Sequence, residues 1–197
     1  MQTCNHTLWF TCGNAQFKDN LVIIEIPNFV ALEDVGVIRN SVSAFLPKAS
    51  FPVYNRDGKT VAITETPELK STDILISKIM QSVLDNVILR RYKPAFASGD
   101  SGYEYHLYQP GEVCHYHTDG EVWKNQLRYA TVIIFLTDND DGELVFPAQN
   151  KEIKPEAGKI VVFPPNGTHG HYTKPAKVDR EILMTWFVYG GLQVTER

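Results

Sequence analysis

The chain has 197 residues, of which 43% are hydrophobic, 11% aromatic and 21% charged, with a formal net charge of −4. That length and mixture suit one domain with a substantial core and exclude a disordered or collagen-like chain. The negative balance gives no bulk positive field to attract nucleic acid or an anionic membrane, and the longest apolar runs, such as residues 132–136, are too short to cross a bilayer. Cys4, Cys12 and Cys114 cannot make an even disulfide framework and show no CxxC pair, which argues against a zinc knuckle. Free thiols, and an N-terminus without a basic or apolar signal region, predict a cytoplasmic protein.

Residues 21–26 read as a buried strand stopped by Pro27-Asn28. Residues 32–45 read as a helix, with Glu33 and Asp34 in the first turn and Val35, Ile38, Val42 and Phe45 at helical spacing. Residues 51–64 resemble a hairpin around Asn55-Arg56-Asp57-Gly58, because Asp-Gly supplies the positive φ angles of a tight turn. A long amphipathic helix is expected over 72–91, capped by Ser71 or Thr72 and blocked by Pro94.

After about residue 100 the period changes. Short β-rich runs at 103–108, 113–116, 128–136, 143–146, 159–163 and 181–188 alternate with turn clusters such as Pro110-Gly111 and Asn139-Asp140-Asp141-Gly142. Helices first and strands after predict an α+β fold, an antiparallel sandwich or barrel with N-terminal buttressing helices. No repeat or linker divides the chain. The expectation is one domain over 1–197, with a helical and hairpin part at about 21–100 and a strand core at about 101–190.

The chemistry concentrates in Tyr108-Gln-Pro-Gly-Glu-Val-Cys-His-Tyr-His117-Thr-Asp119. Alternate residues of an extended segment point the same way, so His117 and Asp119 would share a face and hold two corners of a divalent metal. Thr168-His169-Gly170-His171 offers a third ligand. Two imidazoles and one carboxylate leave positions open for an oxoacid and O2. Arg180, followed by a β-run through Trp186, would need an anion if it points inward, and the distal carboxylate of a dicarboxylate fits its fork. Taken singly, His-x-Asp is more often a solvated turn and Arg180 more often a surface charge. Their order along one chain changes that balance.

Tyr108-x-x-Gly111, His117-x-Asp119, Asp141-Gly142-Glu143-Leu144-Val145-Phe146, Pro155-x-x-Gly158-x-x-x-x-Phe163-Pro164 and His171-x-x-x-Pro175-x-x-x-x-Arg180-x-x-x-x-x-Trp186 together resemble the iron(II)- and 2-oxoglutarate-dependent dioxygenases of the prolyl 4-hydroxylase type. The early Ile26-Pro-Asn-Phe29 is similar to that family's N-terminal entry. The resemblance implies a double-stranded β-helix (jelly-roll) core with His117, Asp119 and His171 as catalytic iron ligands. Arg180 would bind the 5-carboxylate of 2-oxoglutarate, with Tyr108 lining the pocket and Thr131 helping. It further implies Fe(2+) as cofactor, 2-oxoglutarate and O2 as cosubstrates, and ascorbate beside them. The reaction would hydroxylate a substrate C–H with release of succinate and CO2, most directly as a prolyl hydroxylase acting on a protein or peptide. A free amino acid or other small molecule is the alternative substrate, and a non-catalytic jelly-roll that binds a metal or ligand is the alternative of another class.

His171 precedes Arg180 by nine residues and His169 by eleven, and the family's spacing of nine or ten favours His171. His115 reads as a supporting or surface group. Cys114, Phe135 and Met184 depart from the residues common at their positions, Phe135 by lacking a hydroxyl that helps hold the cosubstrate. Substrate contact would come from Tyr54 and Arg56 in a flap, from Tyr103 and Trp123, and from Trp186. The nucleic-acid repair branch of the superfamily fits less well, because Trp186 stands where its second arginine is usual.

Overall fold

Strands that are apolar on both faces must be covered on both faces, and this requirement organises the molecule. The computed structural model describes residues 23–46, 56–91, 97–123 and 125–193. In chain order these form β1 (Ile24–Ile26), α1 (Leu32–Ser43), β2 (Lys59–Ala62) and α2 (Lys70–Val83), which continues through a π-turn at Leu84–Ile88 into α3 (Leu89–Arg91). The strands that follow are β3 (Ala97–Asp100), β4 (Glu104–Tyr108), β5 (Val122–Trp123), β6 (Gln126–Phe135), β7 (Leu144–Phe146), β8 (Lys151–Ile153), β9 (Ile160–Phe163), β10 (Tyr172–Thr173) and β11 (Arg180–Gln193).

The major sheet runs β1-β9-β6-β11-β4-β2, with β3 added on β11 and β5 on β6, and the minor sheet runs β10-β7-β8. The pairs in both sheets are antiparallel, the arrangement of a jelly-roll core. Side chains alternate across the major sheet. Val132, Ile134, Ile160, Val162, Leu183 and Phe187 face one core with α1 and α2, whereas Ile133, Phe135, Val161, Phe163, Ile182 and Met184 face the minor sheet's Leu144, Phe146 and Ile153. The helices are therefore buttresses on the outer face, and the inner face holds the site.

The period of α1 puts Val35, Ile38 and Val42 in the outer core, each burial favouring the fold by about 1.5–3 kcal/mol. Arg39 on α1 also donates from Nε and Nη2 to Glu181 on β11, both at 2.7 Å. With Arg39 44% exposed, that fork contributes about 1 kcal/mol or less and mainly sets register.

Several local expectations change. The Asp57-Gly58 turn does not close a hairpin among the described residues: β2 pairs β4, with Lys59 opposite Leu107 and Ala62 opposite Glu104, because Asp57 N bonds Val113 O and Arg56 bridges Cys114. Helix α2 starts at Lys70 after a 3-10 turn, Pro67–Leu69, with no side-chain cap. Proline presets the turn's φ, and buried Asp73 accepts from Thr64 and Lys70, both at 2.8 Å. Residues 113–116 form no strand. The strands β3, β8 and β10 are too short to show a period in the sequence.

Candidate active site

His117 and His171 meet through the backbone before their side chains do. The two residues form an isolated antiparallel bridge, His117 N to His171 O at 3.0 Å and His171 N to His117 O at 2.8 Å. Next along, Thr173 N bonds Cys114 O at 2.9 Å and Cys114 N bonds Thr173 Oγ1 at 2.8 Å. Two segments more than fifty residues apart are thus clamped at the open edge of the inner core. Gly170 makes this possible: a Cβ there would overlap the ring of Tyr116.

The ligand atoms of His117, Asp119 and His171 lie within 4.8 Å of one another. His117 Nε2 is 3.4 Å from Asp119 Oδ1, His171 Nε2 is 3.9 Å from the same oxygen, and the rings sit 4.4 Å apart. Each imidazole donates from Nδ1 to a backbone carbonyl two residues earlier, His117 to His115 O at 2.8 Å and His171 to His169 O at 3.0 Å. That choice of tautomer leaves both Nε2 atoms, with their lone pairs, directed at Asp119. The second carboxylate oxygen is fixed by Thr131 Oγ1 at 2.6 Å, and Asp119 O accepts from Arg128 Nη1 at 2.9 Å. Two nitrogens and one oxygen on one face, with their outer atoms already bonded, are a donor set that fits iron(II) with open positions.

The electrostatics follow from one shared carboxylate. Burial pushes His117 down, but the hydrogen bond to Asp119 and the neighbouring Cys114 overcome this and raise it to about 10. Asp119 is buried, which alone would raise it, yet the two histidines and Thr131 hold it well below the usual carboxylate range. His171 is pushed down by burial. Without a cation, one proton on His117 balances Asp119, and His171 stays neutral.

A cavity of about 330 Å³ opens beside this cluster, lined among others by Tyr108, Cys114, Thr173, Met184 and Trp186. Behind Tyr108 and Thr173 lies Arg180, 1% exposed. Its guanidinium stacks 4.4 Å over the Tyr108 ring and donates to Gly142 O at 3.0 Å, Lys174 O at 2.9 Å and Thr173 Oγ1 at 2.8 Å. Those oxygens are all neutral. Gly142, at φ +78°, is required behind it, since a Cβ would meet Ala176 at 2.8 Å and Arg180 Nη1 at 3.1 Å. Burial lowers Arg180, yet an arginine keeps its charge.

The other candidates sort clearly. Arg56 and Trp186 line the cavity. Thr131 is wholly buried and committed to Asp119, which corrects its expected place beside the cosubstrate. Tyr103 is also corrected: it packs in the outer core with its hydroxyl on Asp100 at 2.8 Å, because odd positions of β4 and its entry face the helices. Tyr54 lies outside the described residues. Trp123 is in β5, paired opposite Gln126, and its side chain lies outside what is described. His115 points outward, 61% exposed, toward Asp57. His169 is buried beside Phe146 and serves the cluster through its carbonyl. Phe135 packs in the inner core, and Met184 Sδ touches Arg56 at 3.8 Å. Arg128, Glu104 and His106 were missed as site residues. The alternation of β4, which turns 104, 106 and 108 inward together, is the signal that reveals the last two.

Residues 103–188 match the family described as the 2OG-Fe(II) oxygenase superfamily. No curated protein matches the sequence. Among solved structures, the viral collagen prolyl hydroxylase of Paramecium Bursaria Chlorella virus-1 in its 2OG complex aligns with a TM-score of 0.66 at 18% identity, covering 85% of this chain and 96% of that one. A Pseudomonas putida prolyl-4-hydroxylase aligns with a TM-score of 0.65 at 18% identity over 87% and 95%. A prolyl hydroxylase in complex with a hypoxia inducible factor peptide fragment, from Trichoplax adhaerens, aligns with a TM-score of 0.71 at 19% identity over 85% and 83%. The family implies Fe(2+), 2-oxoglutarate and O2, to which the His-Asp-His cluster conforms. Residues 103–188 thus resemble the 2OG-Fe(II) oxygenase superfamily, and the chain has the jelly-roll fold of the prolyl hydroxylases it aligns with.

Proposed function

We propose that this protein is a prolyl hydroxylase acting on a peptide or protein, with His117, Asp119 and His171 as iron ligands and Arg180 as the anchor of the 2-oxoglutarate 5-carboxylate. The observation that carries the reading is the pairing of a preorganised two-histidine, one-carboxylate cluster with a buried guanidinium that, among the described residues, binds only neutral oxygens. A buried cation without an anion is costly, so a site that retains one is built for an anionic ligand. Bound at the cluster, iron(II) would supply the open coordination positions and the redox chemistry of C–H hydroxylation. The chain's own part is positional. The carbonyls of His115 and His169 hold both imidazoles with Nε2 inward, and Thr131 turns Asp119 so that Oδ1 faces them. Tyr108 and Thr173 form the wall in front of Arg180, and the apolar floor of Ile133, Leu144 and Ile182 keeps water from the reacting groups.

The peptide reading draws on the prolyl hydroxylases that share the fold, one of them holding a peptide. We further infer one oxygenase domain over the whole chain and a cytoplasmic setting, the latter supported by a buried Cys114 that forms no disulfide among the described residues. The test is succinate formation from 2-oxoglutarate by anaerobically iron-loaded protein started with air, with and without a proline-rich peptide pool. Iron-dependent succinate that rises with peptide is expected, and Asp119→Ala and His171→Ala abolish it. Succinate stimulated by free amino acids and not by peptide would move the reading to a small-molecule hydroxylase. None from folded, iron-loaded protein would overturn the enzyme reading of this site.

A further inference from the structure

The cavity has a second charged wall that neither the metal cluster nor Arg180 uses. Arg56 reaches it from outside the family-matched region, carried on the backbone bridge to Cys114. Its Nη1 contacts the ring nitrogens of His106 at 3.0 and 3.1 Å and Met184 Sδ at 3.8 Å, and its Nη2 stands 3.6 Å from Glu104 Oε2, beyond a hydrogen bond. The buried Nε of Arg56 has no hydrogen-bond partner, nor has the buried Nε1 of Trp186 on the same wall. Arg128 stacks on that tryptophan, its guanidinium carbon 3.8 Å from the ring centroid.

Two imbalances coincide here. The first is of hydrogen bonds, since the buried Nε of Arg56 and Nε1 of Trp186 have no acceptor and Glu104 Oε2 beside them is likewise unmatched, a rare and costly arrangement in a finished site. The second is of charge. Burial lowers His106 despite Glu104 3.2 Å from its Nε2, and Asp119 lies against its two histidines. Two guanidinium groups, Arg56 and Arg128, line this wall with one carboxylate between them, Glu104, while Arg128 also feels Asp119. A ligand that supplies acceptor oxygens and one negative charge cancels both.

We propose that Arg56 is a specificity-determining residue and that the substrate carries a carboxylate close to the hydroxylated C–H. The inference rests on the hydroxylase reading above and deepens it. The carboxylate has two possible sources: an acidic side chain next to the target residue in a peptide, or the α-carboxylate of a free or C-terminal amino acid. Arg56 would grip it as a charge-assisted, fork-like pair.

The test compares substrates that differ only in that group. Iron-loaded enzyme with 2-oxoglutarate is given blocked proline peptides whose flanking residue is Glu, Gln or Lys, and L-proline beside L-prolinamide, with succinate as the readout. The wild type should favour the carboxylate member of a pair by about tenfold or more in kcat/KM. The peptide series identifies a side-chain source, the proline pair an α-carboxylate. Arg56→Gln should bring the ratio near one, Arg56→Glu should favour the Lys peptide, and Arg56→Lys should retain a reduced preference. Succinate stimulated equally by Glu and Gln peptides and by proline and prolinamide overturns the inference while leaving the hydroxylase intact. So does a preference that survives unchanged in Arg56→Gln. If no proline compound stimulates succinate, the prolyl reading fails, and tryptophan-fluorescence titration of the same compounds decides the second point: carboxylate-selective binding lost in Arg56→Gln supports it, and equal or absent binding overturns it.

Discussion

Thr131→Val isolates how much of the metal site is made by orientation alone. Thr131 is fully buried on β6, and its Oγ1 donates to Asp119 Oδ2 at 2.6 Å, leaving Oδ1 toward both histidines. Valine keeps the shape and the β-branched χ1 preference, so the loss is the donor rather than a void. A hydrogen bond to a charged group is worth about 1.5–3 kcal/mol, and a buried carboxylate oxygen left bare loses about that much. For a chain of this length the melting temperature should fall by roughly 3–12 °C. The larger consequence is for the metal. An unclamped Asp119 can turn Oδ1 away from the histidines, and loss of such an outer partner typically costs about 10–100-fold in affinity. Titration calorimetry with Mn²⁺ reads this directly, beside the melting curve, and Thr131→Ser should restore the affinity. Lower stability with unchanged Mn²⁺ affinity would refute the argument and leave Thr131 with a purely structural part.

Arg180→Leu removes the buried cation behind Tyr108 and Thr173, so the KM for 2-oxoglutarate should rise at least about tenfold with Mn²⁺ affinity little changed, and an unchanged KM refutes the anchor. Metal binding must expel the proton that Asp119 and Cys114 hold on His117 up to about pH 10, so between pH 6.5 and 9 the apparent affinity should tighten about tenfold per unit. Calorimetry in buffers of different ionisation enthalpy should count about one proton released, and none would refute it. The sign for stability is opposite: in metal-free protein the raised His117 contributes fully below about pH 6.5, and that contribution is lost as pH rises through about 10. Ile134→Ala, in the outer core away from the cavity, should cost about 2–5 kcal/mol in urea unfolding while the KM for 2-oxoglutarate stays put.

The sequence disclosed the parts of the site that are tied to long periodic segments. Strands β6, β9 and β11 read clearly because runs such as Ile160–Phe163 are apolar throughout, as two-sided burial demands. The candidate ligands could be named because histidine and aspartate in ordered spacing are rare. The geometry that joins them could not be read. The run at 113–116, just ahead of His117, forms no strand, and the residue that His117 bridges lies far along the chain. Nor does any local pattern say that an Asp-Gly turn will pass its strand to β4 rather than fold it back. Pairing of that kind is decided by non-local burial, here of Val61 against Tyr105. Tyr103 was misjudged for the same reason: an aromatic beside a site is indistinguishable from a core residue until the strand's facing is known.

The distribution of fixed and unmatched groups separates what this fold does in general from what this chain does in particular. Around the metal cluster the outer atoms are bonded: two histidine Nδ1 atoms to carbonyls, one carboxylate oxygen to a threonine, a guanidinium to three neutral oxygens. Such a site is rigid before any ligand arrives, as positioning for a demanding oxidation requires. The opposite wall is different. It leaves the Nε of Arg56 and the Nε1 of Trp186 without acceptors, and its first cation comes from a segment ahead of the family-matched core. The residues that carry these two unmatched atoms both line the cavity. Selectivity therefore belongs to the Arg56 wall and chemistry to the His-Asp-His side, so changes at the first should alter which substrate is oxidised before they alter whether oxidation occurs.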